Sequence, residues 1–233
     1  MLDHALALTF AFGFPLVTTP IYARRRAALL SGDSALRRRE YAETIVWLAS
    51  MGLATVIVWF VTDRDLALLG LTFHNSWQFL AGFALALLVS ALLYWQVLSV
   101  RRDSATREAA RKALEPVREY LPATAGEARL FRGVALSAGL GEETFYRGFL
   151  LWYLMQFTSL PWAIAVSSVL FGLAHIMHGA QATVRATIIG FLLAALYVFT
   201  GALWASMLLH TAIDLSSGEM GAAVFGAPLQ GGV

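Results

Sequence analysis

Long apolar runs separated by short polar segments dominate the chain. Most of them approach the ~20 residues that an α-helix needs to cross the hydrocarbon core of a bilayer. The stretch from Ala186 to Ile213 is uncharged and too long for one crossing, and Thr200-Gly201 is its natural break. The pattern predicts an all-α, polytopic transmembrane bundle of seven helices, or eight if the tail after Ser216 forms one. The predicted spans are residues 4–22, 43–62, 78–99, 131–157, 161–178, 184–200 and 203–215.

The first apolar run lies at the N-terminus and carries Asp3 and His4 instead of a basic segment. It also lacks a clear small-residue cleavage site, so we interpret it as a retained first helix and not as a signal peptide. Pro15 and Pro20 are expected to bend this helix or to end it early, because proline removes a backbone donor and crowds the preceding turn.

Composition supports a membrane protein. The chain of 233 residues is 58% hydrophobic and only 14% charged, whereas a soluble domain carries about 25% charged residues. The absence of cysteine excludes a disulfide framework and a thiolate metal site. Fourteen of the seventeen Lys and Arg residues lie in two regions, 24–39 and 101–132. This clustering of Lys and Arg residues in two regions between apolar runs indicates membrane topology and not nucleic-acid binding. We expect both regions to be cytoplasmic and the N-terminus to lie outside, in a bacterial inner membrane.

Residues 101–129 form the one long polar connection. Ala110, Leu114, Val117 and Leu121 fall on one helical face, and the remainder is rich in arginine. A basic amphipathic segment of this kind is typical of a helix lying on the anionic membrane surface. A substrate-binding arm is the alternative interpretation.

Ionisable side chains at membrane depth are confined to the second half of the chain. Such residues are costly to bury and usually mark a functional site. We therefore expect a single integrated domain in which residues 1–129 are scaffold, 130–217 carry the functional site and 218–233 are a tail. The intramembrane ionisable residues are Glu142, Glu143, Arg147, His175, His178, His210 and Asp214.

The fourth span carries two adjacent carboxylates and an arginine. Glu143 and Arg147 are four residues apart and are predicted to form an ion pair on one helical face. Glu142 points about 100° away and has no partner on its own helix. A carboxylate shielded from water and left without a partner suits a general base. The alternative is that all three form a structural polar clamp.

The remaining candidates are histidines. His175 lies near small residues that would allow a helix or a substrate to approach, while His178, beside Gly179, is expected to be an interfacial residue. His210 and Asp214 are four apart, and their spacing allows either a hydrogen bond that orients the imidazole or two metal ligands. The His-Glu-x-x-His and Gly-x-Ser-x-Gly motifs are absent.

Three motifs resemble the signatures of a known family, the CPBP intramembrane proteases. That family includes the type II CAAX prenyl endopeptidases and the bacterial Abi proteins linked to bacteriocin processing or immunity. The resemblance covers about residues 130–217 and implies a peptidase that acts within the membrane. The motifs are Glu142-Glu143-x-x-x-Arg147, Phe171-x-x-x-His175 and His210-x-x-x-Asp214.

The resemblance also implies roles for these residues. Glu142 and His175 match the pair that activates the attacking water, and His210 with Asp214 matches the pair that holds the oxyanion or the site. Glu143 and Arg147 match the supporting pair. The prenyl-processing members typically have Asn at the position of Asp214, so its carboxylate favours metal ligation. Both a metalloprotease, with zinc held by some of Glu142, His175, His210 and Asp214, and a metal-free mechanism remain open.

The expected partners are the lipid bilayer and a hydrophobic peptide or membrane-protein substrate, with no nucleic acid. Two other functions compete with the peptidase. One is a proton- or metal-coupled transporter, because acid–histidine chains also form proton relays. The other is a non-catalytic membrane scaffold with a chaperone or immunity role.

Overall fold

The computed structural model describes residues 1–73 and 75–226, and this part of the chain contains nine helices and no strand. The predicted all-α architecture is confirmed. Helices α1, α2, α4 and α8 are long and apolar enough to cross a membrane, and the protein is an integral membrane protein. The helices are α1 Leu2–Leu30, α2 Ser34–Val61, α3 Leu66–Leu69, α4 Trp77–Arg102, α5 Ser104–Leu114, α6 125–154, α7 Leu160–Leu173, α8 Ala180–Thr200 and α9 Trp204–Phe225.

Helix α1 differs from its prediction because its prolines do not end it. A π-helical segment, Thr9–Gly13, ends two residues before Pro15 and changes the hydrogen-bond register there, so the chain continues helically to Leu30. The arginine-rich region 24–39, expected to be a loop, is therefore mostly helical. Only residues 31–33 separate α1 from α2, and the Asp33 side chain caps α2 by accepting from the amide of Leu36.

Helices α7, α8 and α9 also refine the predicted boundaries. Helix α7 ends at Leu173, so His175 lies beyond the helix, before a short 3₁₀ turn at Ile176–His178. The predicted break at Thr200-Gly201 is confirmed, because Gly201 adopts the left-handed conformation that ends α8. Helix α9 continues through Ser216 to Phe225 as one helix, and the rest of the predicted tail, 227–233, lies outside the described residues.

Close helix crossings position the middle of α6. Helix α6 packs between α2 and α9, and α9 also packs on α4. A Cβ atom at Gly141 would overlap the carbonyl oxygen of Leu48 on α2, and one at Gly139 would overlap the Thr211 hydroxyl on α9. These two glycines let the backbones approach closely on both sides of α6. The residues that follow, Glu142 and Glu143, are thereby held at the centre of the bundle.

Basic side chains and their acidic partners gather at one end of the bundle, called the basic end below. Ion pairs there connect α1 with the segment between α5 and α6, and α2 with the start of α6. Two further pairs connect α4 and α6 with α9. The pairs are Arg26–Glu119, Arg37–Glu127, Arg101–Glu219 and Arg132–Glu219. At the opposite end, Arg64 binds Asp3 through two hydrogen bonds of 2.8 and 2.7 Å. The two ends thus differ sharply in charge.

Candidate active site

The acidic motif lies where α6 changes its helical geometry. Regular α-helix ends at Glu143 and a π-helical segment, Thr144–Leu150, follows. Segments of this kind interrupt α-helices frequently at functional sites. The carbonyl oxygen of Tyr146, within the π segment, accepts a hydrogen bond of 3.0 Å from Ser167 on α7. This contact fixes α6 against the helix that leads to His175.

Glu143 lies at the centre of a buried network. The Arg147 Nη1 atom donates to Glu143 Oε1 at 2.8 Å, and both side chains are almost completely inaccessible, so the predicted pair is present. Arg147 Nη2 donates to the carbonyl oxygen of Gly190 on α8 at 3.2 Å, and the guanidinium lies 4.3 Å from the centre of the Phe171 ring. A buried carboxylate and guanidinium compensate each other in this arrangement.

The same carboxylate oxygen also fixes His210. His210 Nδ1 lies 2.8 Å from Glu143 Oε1. Asp214 Oδ2 lies 3.7 Å from His210 Nε2, which is too long for a hydrogen bond. The imidazole is therefore oriented by Glu143 from a neighbouring helix, and not through the intrahelical bond with Asp214 that the spacing allowed.

Glu142 has no partner on its own helix, as predicted, but it faces the imidazole on α9. Its Oε2 atom lies 3.5 Å from His210 Nε2. Both side chains are more than nine-tenths buried. His210 thus contacts Glu143 through one ring nitrogen and faces Glu142 and Asp214 with the other.

His175 approaches the same site from the end of α7. Its Nδ1 atom lies 2.9 Å from the carbonyl oxygen of Phe171. A carbonyl only accepts, so Nδ1 carries the proton and Nε2 of the neutral ring is left as an acceptor. The Phe171 ring lies between the two histidines, 4.9 Å from His175 and 5.7 Å from His210, measured between ring centres. No direct hydrogen bond joins His175 to Glu142 in the described part of the chain.

His178 lies beside two tyrosines, and its expected interfacial position stays a prediction. Its ring packs against Tyr22 of α1 at 5.1 Å and against Tyr120 at 4.5 Å, between ring centres. His178 thus connects the turn that follows His175 with the first half of the chain.

A cavity of about 360 Å³ connects these groups with the basic end. Glu142, His175, His210 and Asp214 all line it, and most of its other lining residues are apolar or aromatic. Near the basic end it is bordered by Arg25, which donates to Glu40 and to Glu43, the latter at 2.7 Å. Glu142, His175, His210 and Asp214 are thus brought together around one partly open cavity.

The first half of the chain contributes to this cavity, which our sequence reasoning missed. Helices α1 and α2 supply Phe14, Tyr22, Arg25 and Trp47 to the wall. The sequence did contain one signal, two carboxylates three residues apart, Glu40 and Glu43, at the start of an apolar span.

The candidate metal ligands do not converge. Within residues 1–73 and 75–226, no three His, Asp or Glu side chains lie in positions that could hold a metal ion. Glu142, His210 and Asp214 come nearest, but their contacts all run through a single nitrogen, His210 Nε2. Within the described part of the chain, the side chains present do not fit a metal site.

Comparison with known proteins identifies a family for part of the chain. Residues 125–216 match a family described as type II CAAX prenyl endopeptidase, Rce1-like. The matched segment contains all seven motif residues from Glu142 to Asp214, so the resemblance drawn from the three motifs is confirmed over this part of the chain. No curated protein and no solved structure matches the chain.

Proposed function

We propose that this protein, whose residues 125–216 match the Rce1-like family, is an intramembrane endopeptidase that cleaves a hydrophobic or membrane-associated peptide. One observation carries the proposal: the Glu142 carboxylate faces the His210 imidazole at 3.5 Å on the wall of a largely apolar cavity inside a helical membrane bundle. A carboxylate that activates water and a donor for the oxyanion are the two groups that peptide hydrolysis requires.

The proposed reaction starts from a water molecule between Glu142 and His175. His175 Nε2 accepts one hydrogen bond from this water and positions it, and Glu142 takes a proton from it. The water oxygen then bonds to the carbonyl carbon of the substrate, and the carbonyl oxygen becomes an oxyanion. Glu142 passes its proton to the leaving amine as the peptide bond breaks, so the protons balance and the carboxylate is regenerated.

His210 serves the oxyanion in this scheme. Its Nδ1–H donates to Glu143. The carboxylates of Glu142, Glu143 and Asp214 around the ring favour the doubly protonated imidazolium. The Nε2–H of this imidazolium can donate to the oxyanion. Arg147 pairs with the Glu143 carboxylate and holds it in place. Glu143 and Arg147 therefore act as positioning residues, without contact to the substrate.

The test is cleavage of hydrophobic peptides by the purified protein reconstituted in vesicles, with products identified by mass spectrometry. We expect defined products that disappear in the Glu142→Gln protein. A transporter would instead move protons or metal ions across the vesicle membrane without cleavage. A non-catalytic scaffold would keep its cellular phenotype after Glu142 and His175 are both replaced.

We propose that the reaction needs no bound metal, since the candidate ligands do not converge. The expected result is unchanged cleavage after treatment with a membrane-permeable chelator, and substoichiometric zinc in the active protein by elemental analysis. Loss of activity on chelation with recovery on adding zinc would contradict this mechanism and would assign the metal to Glu142, His210 and Asp214.

We further propose that the basic end faces the cytoplasm of a bacterial cell and that the N-terminus lies outside, because cationic residues favour the cytoplasmic side. The natural chain has no cysteine, so single cysteines can be introduced at Ser31, in the α1–α2 connection, and at Thr62, at the opposite end. An impermeant thiol reagent should label Thr62→Cys and not Ser31→Cys in cells with a permeabilised outer membrane. The reverse pattern would invert the topology.

A further inference from the structure

Helix α5 is an exposed helix attached to the end of a membrane-spanning one. None of its residues is buried. Asp103 caps it by accepting from the amide of Thr106 at 2.6 Å. Hydrogen bonds from the Thr106 hydroxyl and amide hold the pKa of Asp103 below its usual value. Arg107 donates to the carbonyl oxygen of Val100 at 3.2 Å and anchors α5 to the end of α4. The helix therefore starts at a fixed point beside the bilayer.

The exposed face of α5 carries cations without strong partners. Arg111 makes no ion pair within the described part of the chain, and Lys112 approaches Glu108 only to 3.9 Å, with both side chains largely exposed. Exposed pairs of this kind contribute little. By contrast, Arg26, Arg37, Arg101 and Arg132 at the same end each bind a glutamate. The charge on α5 thus remains available to an anionic partner.

The location of α5 identifies the chemistry of that partner. The helix follows the last residues of α4, Arg101 and Arg102, where a membrane-spanning helix leaves the bilayer. Cations next to such a position meet the phosphate groups of anionic phospholipids. An amphipathic helix also lies in the plane of this interface. The membrane surface is therefore the partner that both charge and position favour.

The last turn of α5 and the residues after it form part of the cavity wall. Ala113, Leu114, Pro116 and Val117 line the same cavity as Glu142 and His175. Three residues further, Tyr120 packs on His178, in the turn that follows His175, and accepts a hydrogen bond of 2.6 Å from Tyr41 through its carbonyl oxygen. A continuous set of contacts thus runs from the exposed cations of α5 to the turn beside the catalytic histidine.

We propose that α5 binds anionic phospholipid head groups through Arg111 and Lys112, and that this contact holds the wall at 113–120 in the arrangement that admits substrate. Peptide cleavage is then faster in an anionic membrane than in a neutral one. The inference rests on the proposed peptidase function and adds its regulation by lipid charge. Lipid binding favours the arrangement that admits substrate only if the head groups contact α5 better in that arrangement than in any other.

The test compares cleavage rates in vesicles of phosphatidylcholine alone and of phosphatidylcholine mixed with phosphatidylglycerol. The natural protein should be stimulated by the anionic lipid, and less so at high salt. In the Arg111→Gln/Lys112→Gln variant the stimulation should fall by about fivefold or more, since one cation near an anionic surface corresponds to about fivefold in binding. Its rate in neutral vesicles should match that of the natural protein.

A matched control replaces two other exposed cations at the basic end, Arg24→Gln/Arg38→Gln, which lie outside the cavity lining. This variant should keep the full stimulation. An equal loss of stimulation in both variants would show an effect of general surface charge and would overturn the proposal. Stimulation of cleavage by an acidic protein but not by anionic lipid would also overturn it. Glu142-dependent cleavage without any lipid effect defeats this inference alone, whereas no Glu142-dependent cleavage in either membrane defeats the peptidase function.

Discussion

Glu142→Gln is expected to lower kcat for peptide cleavage by about 10²–10⁴-fold, the usual contribution of a general base, while the protein remains folded. The amide keeps the shape of the carboxylate but takes no proton from water. The site tolerates this change because Glu142 makes no ion pair on its own helix and its contact with His210 is 3.5 Å long. KM should change little, since the substitution alters a group that acts on the water.

Glu219→Gln is the matched control for this substitution. Glu219 lies on α9, the helix of His210, and binds Arg101 and Arg132 at the basic end, outside the cavity lining. The control should retain the natural cleavage rate. Turnover by Glu142→Gln at a comparable rate, on the same peptide and with the same products, would remove Glu142 from the mechanism and leave His175 as the base.

Contacts within a helix were predictable from the sequence, and contacts between helices were not. The Glu143–Arg147 pair follows from a spacing of four residues, since helical geometry alone brings the two side chains together. The bond from His210 to Glu143 depends on how far α9 is rotated and shifted against α6. That register depends on the close approach of α9 to α6 at Gly139, and an apolar pattern does not specify it.

Local departures from regular helix were equally hidden. The π segment at 144–150 changes the hydrogen-bond register of the helix directly after the two glutamates, and the continuation of α1 past Pro15 depends on a second π segment. Both π segments depend on packing between helices, which the individual residue types do not predict. The same limit explains why Tyr22 and Tyr120, far from the motifs in sequence, were not predicted to surround His178.

Arg147→Met is expected to destabilise the folded protein by about 3–5 kcal/mol, because removing one member of a buried ion pair leaves the other charge uncompensated. Methionine has a similar length and suits the apolar surroundings, including the Phe171 ring. The loss of the bond to the Gly190 carbonyl adds to the effect. Unfolding of the detergent-solubilised protein by SDS titration measures it. Arg132→Met is the control, since Arg132 is more than half exposed and its pair is worth only about 0–1 kcal/mol.

The double variant Glu143→Gln/Arg147→Met separates charge compensation from simple packing. With both charges removed, most of the lost stability should return, because no buried charge remains unpaired. Cleavage should nevertheless stay slow, since a neutral amide is a weaker acceptor for His210 Nδ1 than the carboxylate it replaces and favours the imidazolium less. If the double variant is no more stable than Arg147→Met alone, the two residues do not compensate each other. Natural activity in the double variant would instead show that His210 needs no anionic partner.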